Sequence, residues 1–161
     1  MGIKIRSAEL FLSIFIAVSI LIGLSWSYAA ELVVTPDKTV LSPMLLKQPL
    51  MLSGSGWKPN EMVIVNLIPP QGVNIKGVDQ GEDVGIALGN ANAEGLFKVP
   101  IGAMPILMTF FQVDWDSATM KPNFKKATPL PPGAYDLEAV GFESNIKAKT
   151  TLTLVPPPDK K

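Results

Sequence analysis

The stretch that most constrains this chain is Leu130-Pro131-Pro132-Gly133-Ala134-Tyr135-Asp136-Leu137-Glu138-Ala139-Val140-Gly141. Successive side chains of an extended chain point to opposite faces, so Tyr135, Leu137 and Ala139 share one side and Asp136 and Glu138 the other. That is a strand with one buried and one solvated face. Its Pro-Pro-Gly entry is a turn. Glycine supplies a positive φ, and the prolines cannot donate to a ladder, so the strand starts after them. A tyrosine at such an entry in a two-sheet β fold buries its ring and hydrogen-bonds its hydroxyl across the corner where one sheet hands over to the other. The remaining segments read as strands assembled on this one.

Composition supports that reading. Fifteen Pro and thirteen Gly are spread among apolar runs, which suits many short strands and tight turns better than long helices. The chain has 161 residues. Lys4 and Arg6 precede a charge-free run from Leu10 to Trp26, and small residues follow at Ser27 and Ala29. A basic flank, an apolar core and small residues before a cut after Ala29 form a secretory signal, 1–29, with Lys4 and Arg6 on the cytoplasmic side. The apolar run sits at the short edge of what spans a bilayer, so an uncleaved anchor is the alternative. Setting aside Lys4, Arg6 and Glu9 from the fourteen basic and fourteen acidic residues leaves twelve against thirteen. Such a balance gives no field to attract nucleic acid or an anionic membrane. The sequence holds neither Cys nor His. That removes thiol nucleophiles, Ser-His-Asp chemistry, imidazole and thiolate metal ligands, and the usual general base near neutral pH.

Taken in order, Glu31 to Thr35 is a first strand split from Thr39 to Leu41 by Pro36-Asp37. Gln48 to Ser53 follows with Leu50 and Leu52 inward. In Gly54-Ser55-Gly56-Trp57-Lys58-Pro59-Asn60-Glu61 the glycines let the chain bulge out, Trp57 covers the end of the core, and Pro-Asn turns into Glu61 to Ile68, with Val63, Val65 and Leu67 inward. Val84 to Asn90 and Leu96 to Ile101 form a further pair around Asn92-Ala93-Glu94-Gly95, with Phe97 and Val99 buried. The last strand, Ile146 to Val155, carries Lys147 and Lys149 on its wet face, as an edge strand does. A stiff Pro-rich polar tail, 156–161, closes the chain.

Three motifs, Gly54-x-Gly56-Trp57-x-Pro59-x-Glu61-x-Val63, Ala91-x-Ala93-x-Gly95-x-Phe97 and Pro132-Gly133-x-Tyr135-x-Leu137-x-Ala139, resemble the immunoglobulin-like domains of bacterial secreted and cell-surface proteins. The resemblance covers most of Leu32 to Val155. It implies an all-β, immunoglobulin-like antiparallel sandwich of about seven to nine strands over 30–155, with Gly54, Gly56, Trp57, Gly133 and Tyr135 in structural roles. Its motifs are turn and core positions, so they speak to fold rather than function. Two segments depart from the pattern: 102–130, where a short loop is usual, and 71–83, longer and richer in Gly and acid than a hairpin needs.

The functional expectations come from those departures. Met104, Ile106, Leu107, Met108, Phe110, Phe111, Val113 and Trp115 make a dense apolar run in 102–130. One reading is a short helix or extra strand that caps an open end and buries Ile106, Phe110 and Val113. The other is a binding surface in which Phe110, Phe111 and Trp115, flanked by Asp114 and Asp116, hold a partner protein or the flat face of a sugar. Asp114 and Asp116, two apart on a strand, are also a pair of acids at a spacing that acid hydrolysis of a glycoside allows, though nothing else in the sequence supports it. Asp79, Glu82 and Asp83 beside Gly77 and Gly81 lack the Asp-x-Asp-x-Asp-Gly spacing of a calcium loop and read as a solvated acidic loop. The resulting expectation is an exported binding or structural module, periplasmic, on the cell surface or extracellular. It is not an enzyme, needs no cofactor or metal, and recognises an envelope or extracellular protein, or copies of itself, through loops at one end. The alternatives are a carbohydrate-binding module using the aromatics of 102–130 and an accessory subunit of an envelope complex, held to the membrane by its N-terminal run alone.

Overall fold

The computed structural model describes residues 29–158. The expected signal or anchor lies outside the described residues except for Ala29, as does the end of the tail at 159–161. The described chain is all-β. Its strands are β1 (Glu31–Thr35), β2 (Lys38–Val40), β3 (Met51–Ser55), β4 (Met62–Ile68), β5 (Val84–Asn90), β6 (Phe97–Pro100), β7 (Asp114–Asp116), β8 (Lys121–Asn123), β9 (Gly133–Gly141) and β10 (Lys147–Val155). They form a three-stranded sheet β1-β3-β6, a five-stranded sheet β2-β10-β9-β4-β5 and a separate hairpin β7-β8. Eight strands in two large sheets match the expected range; the total of ten exceeds it because 102–130 forms a hairpin of its own.

Alternation along each strand builds one shared core. Leu52 and Phe97 from the smaller sheet and Val63, Val65, Leu67, Leu137, Ala139 and Leu152 from the larger join a single buried cluster. Val99, expected inside, is only partly buried against it. The first strand is split as expected, and its halves join different sheets: β1 pairs antiparallel with β3, whereas β2 pairs parallel with the end of β10. Pro36, which follows β1, has no N–H to continue the ladder. The edge expectation for β10 needs correction. It lies between β9 and β2, but β2 covers only Thr153 to Val155. Along the rest of β10 the lysines face outward, and Lys147 and Lys149 pair with Glu138 of β9 at 3.0 and 3.2 Å.

The stretch that opened the sequence reading becomes β9, bonded to β10 on one side and β4 on the other. Tyr135 is buried and its hydroxyl donates to the Pro131 carbonyl at 2.7 Å. Burial pushes the Tyr135 hydroxyl above its usual pKa, which keeps it a donor. Gly133 departs from expectation: it is not among the glycines with positive φ, and an added Cβ would meet only the Tyr135 ring at 3.9 Å. Tyr135→Phe keeps the buried ring and strands the carbonyl, so it is expected to cost about 1–2 kcal/mol, seen as a melting point lower by ~3–8 °C. An unchanged melting point would show that the hydroxyl contributes nothing.

Candidate interaction site

The long segment 102–130 closes the end of the core where β4 stops and β9 starts. Ile101 is anchored first, its N–H donating to Leu50 O at 2.8 Å. A helical turn at Ala103–Pro105 then runs into a π-helical turn at Ile106–Phe110. That turn drives Ile106 and Phe110 to 0 % exposure, with Phe111 and Val113 almost as deep. Leu130 N–H donates to Phe110 O at 2.9 Å and ties the end of the segment to the cap just before β9. The capping reading therefore describes Ile106, Phe110 and Val113. The expectation that Phe110 and Phe111 offer contact area to a partner is corrected: both rings face the core, because only there can the open end of two sheets be sealed from water.

Outward from that cap, the segment presents another set of side chains. Trp115 is 40 % exposed and its Nε1 donates to Met108 Sδ at 3.0 Å. Phe124 is exposed on one side and meets the buried Phe111 ring edge-on, centroids 5.8 Å apart at 80°. Met104 and Met120 are exposed as well. In the β7-β8 hairpin Trp115 lies opposite Pro122, and Asp116 opposite Lys121. The hairpin is tied to segment 71–83. Gln112, buried with a positive φ of 48°, accepts the Lys76 N–H at 2.7 Å through Oε1, and the Lys76 ammonium pairs with Asp114. Ile75 is buried between these contacts and the core. Both departures from the family pattern thus meet at one end of the fold. Sequence reasoning missed Gln112, whose only signal is its place after two buried aromatics.

The two acids have separate duties. The Asp114 carboxylate is held below the usual range by the hydrogen bond from Lys76 and the charge of that ammonium, with Lys126 adding a smaller share. Asp116 is lowered by Thr119 and then Ala118, whose N–H groups donate to its Oδ1 at 2.9 and 3.0 Å. Asp116 shapes the hairpin turn. Two exposed, lowered carboxylates keep no proton near neutral pH, whereas a glycosidase acid needs a raised pKa. In 71–83, Asp83 Oδ2 accepts from Asn66 Nδ2 at 2.7 Å, while Asp79, Glu82 and Asp83 are all exposed. Among the described residues no group of three or more acids, His or Cys is placed to hold a metal ion.

The other end of the fold carries the remaining motif residues. Gly54 does not bulge out; it sits in the regular ladder of β3, opposite Leu32 and Phe97. Of the two glycines it is Gly56 that has a positive φ, +86°. Trp57 is buried and covers the core as expected. Glu61 is the residue the sequence reading undervalued. It is 1 % exposed. Its Oε1 accepts from the N–H groups of Glu143 at 2.9 Å and Ser144 at 2.5 Å, and its Oε2 from Lys58 N–H at 3.1 Å and Ser144 Oγ at 3.0 Å. The carboxylate thus stitches the turn before β4 to the turn after β9.

No family model and no curated protein matches the chain. Among solved structures the chain is similar to macromomycin, with 16 % identity, 79 % of this chain and 100 % of that one covered, and a TM-score of 0.46. It is also similar to BslA, a bacterial hydrophobin, at 13 % identity, 82 % and 98 % coverage and a TM-score of 0.37. A third similarity is to DesR, a beta-glucosidase from Streptomyces venezuelae, at 15 % identity and a TM-score of 0.39, where 80 % of this chain spans 14 % of that one.

Proposed function

We propose that this chain is an exported, immunoglobulin-like β-sandwich that works as a non-enzymatic binding module of the cell envelope or extracellular space. Its partner is a protein, met through the outer surface of segment 102–130. The observation that carries this reading is the exposure of Trp115, braced by Met108 and flanked by exposed Met and Phe on a hairpin fixed to a rigid end. A half-exposed Trp on an anchored hairpin offers large contact area at small entropic cost, and Met adapts to a partner's shape. The sandwich assignment is supported by the buried Tyr135 bonded to Pro131 and by two sheets sharing one core. The export assignment is supported by the N-terminal pattern; N-terminal sequencing that starts at Ala30 would establish release, and an intact Met1 would establish the anchor.

The test uses the protein recovered from its native host with its cross-linked partner. Trp115→Ala is expected to weaken that complex by roughly 10- to 100-fold, as loss of an interface anchor does, with an unchanged melting point. Undiminished binding would overturn the assignment. Glycan-array binding abolished by the same substitution would replace the protein partner with a carbohydrate.

A further inference from the structure

The outer face of the five-stranded sheet divides into two halves. Toward β10 it is polar: Asp136, Glu138, Lys147, Lys149, Thr151 and Thr153. Toward β5 it is mainly apolar, with Asn66 and Asn90 at its borders. Register places Ile64 of β4 opposite Val140 of β9 on one side and Leu88 of β5 on the other. One pleat further along, Met62 O accepts the Phe142 N–H at 2.8 Å, so those two residues continue the same face. Phe142 is 70 % exposed, Leu88 56 % and Met62 40 %, and Ile64 and Val140 are partly exposed. A shallow groove of about 310 Å³ runs along this patch past the bulge in β5, lined by Ile64, Ile86, Ala87, Leu88 and Pro105. An exposed lone apolar residue means nothing, but five arranged on adjacent strands form one contiguous surface.

We infer that this face is a docking surface for a second copy of the chain, stacked sheet to sheet about a twofold axis near Ile64. A flat pleated face fits best against another of its kind, and a twofold axis lets one patch cover itself. An axis running along the strands there sets β9 of each copy, which Phe142 follows, over β5 of the other, which carries Leu88. The area suffices: the patch exposes roughly 400 Å² of apolar surface, and at the ~60 % apolar share of an ordinary interface a stacked pair buries about 1,300 Å² in all. The charge also permits it. Lys147 and Lys149 are both paired with Glu138, and with Asp136 the polar half carries two positive and two negative groups and hence no net charge to hold two copies apart. This surface lies on the sheet face, apart from the hairpin of the proposed function, and the two readings stand or fall separately.

The experiment is sedimentation of the full chain across a concentration series, together with oxidative cross-linking. A dimer whose share rises with concentration is expected, since an interface of this size lies in the range of specific complexes. Leu88→Asp and Phe142→Asp should each weaken it at least tenfold with unchanged melting, whereas Trp115→Ala should leave it intact. Because the sequence has no cysteine, an introduced one reports its own position. Ile64→Cys should form a disulfide-linked dimer and Lys98→Cys, on the other sheet, should not. A chain that stays monomeric, a dimer indifferent to Leu88→Asp, or equal cross-linking at both positions would overturn the inference.

Discussion

Glu61→Ala is expected to destabilise the protein by about 3–5 kcal/mol, a large part of the ~5–15 kcal/mol that holds a domain together. The carboxylate accepts three backbone N–H bonds and one hydroxyl in a place water does not reach. Alanine takes away the acceptor that four donors share, and the N–H groups of Lys58, Glu143 and Ser144 must find water or go unpaired, the costly way to lose a hydrogen bond. It also opens a gap beside Gly141, whose added Cβ would lie 2.7 Å from the carboxylate carbon. Glu61→Gln keeps the shape but turns an amide NH₂ toward donors, so a loss of roughly 2–3 kcal/mol is expected. Denaturant midpoints for both variants measure this, and a loss under ~1 kcal/mol for alanine would refute the stitching role. The acid side follows from the same contacts. Burial by itself pushes the Glu61 carboxyl up, but the donors from Ser144, Lys58 and Glu143 outweigh it and hold the carboxyl below its usual value. A folded-state pKa below the unfolded one means the stabilisation is complete above the unfolded value of about 4.3 and disappears as pH falls through the folded value. The wild type should therefore lose its advantage over Glu61→Gln as the pH drops below about 4.

Gly54→Ala should be comparably severe, about 3 kcal/mol or more. An added Cβ would lie 2.2 Å from the Glu31 carbonyl oxygen and 3.2 Å from Trp57 Nε1. The first neighbour is backbone of the paired strand β1, which cannot swing away as a side chain can. The clash is relieved only by parting β1 from β3, which would undo pairing from Glu31–Ser55 inward. Amides of Leu32 and Val34 should exchange faster, together with the fall in the denaturant midpoint. Gly133→Ala is the matched control, since its Cβ would meet nothing closer than 3.9 Å, and it should stay within ~0.5 kcal/mol of the wild type. Equal effects at the two positions would show that close strand approach is not what reserves position 54 for glycine.

Both residues stood in the motif that the sequence made visible, yet their duties did not. Gly54 looked like a bulge because Gly-x-Gly near a turn usually is one; which atoms approach it depends on Glu31, a strand away. Glu61 looked like a pattern position, and the acceptors and donors that explain it are joined over 82 and 83 residues of chain. Phe110 and Phe111 show the same limit in reverse. A dense apolar run is equally a cap and a binding face until the open end it covers is in place, and the cap took both rings while leaving Trp115 outside.

What the sequence determined by itself is whatever depends on consecutive residues. The period of two in Tyr135-Leu137-Ala139, Val63-Val65-Leu67 and Leu152-Leu154 dictates strands with one apolar side, and Pro-Pro-Gly dictates where the central one begins, since proline cannot join a ladder. The lack of Cys and His excludes thiolate and imidazole chemistry from this sequence. What the tertiary structure alone decided is adjacency. It seated β9 between β4 and β10, tied Lys76 to the hairpin of Trp115, gathered Met62, Ile64, Leu88, Val140 and Phe142 on one face, and closed four donors around Glu61. Register between distant strands sets such neighbours, and register is fixed by the burial of the whole core rather than by any one segment.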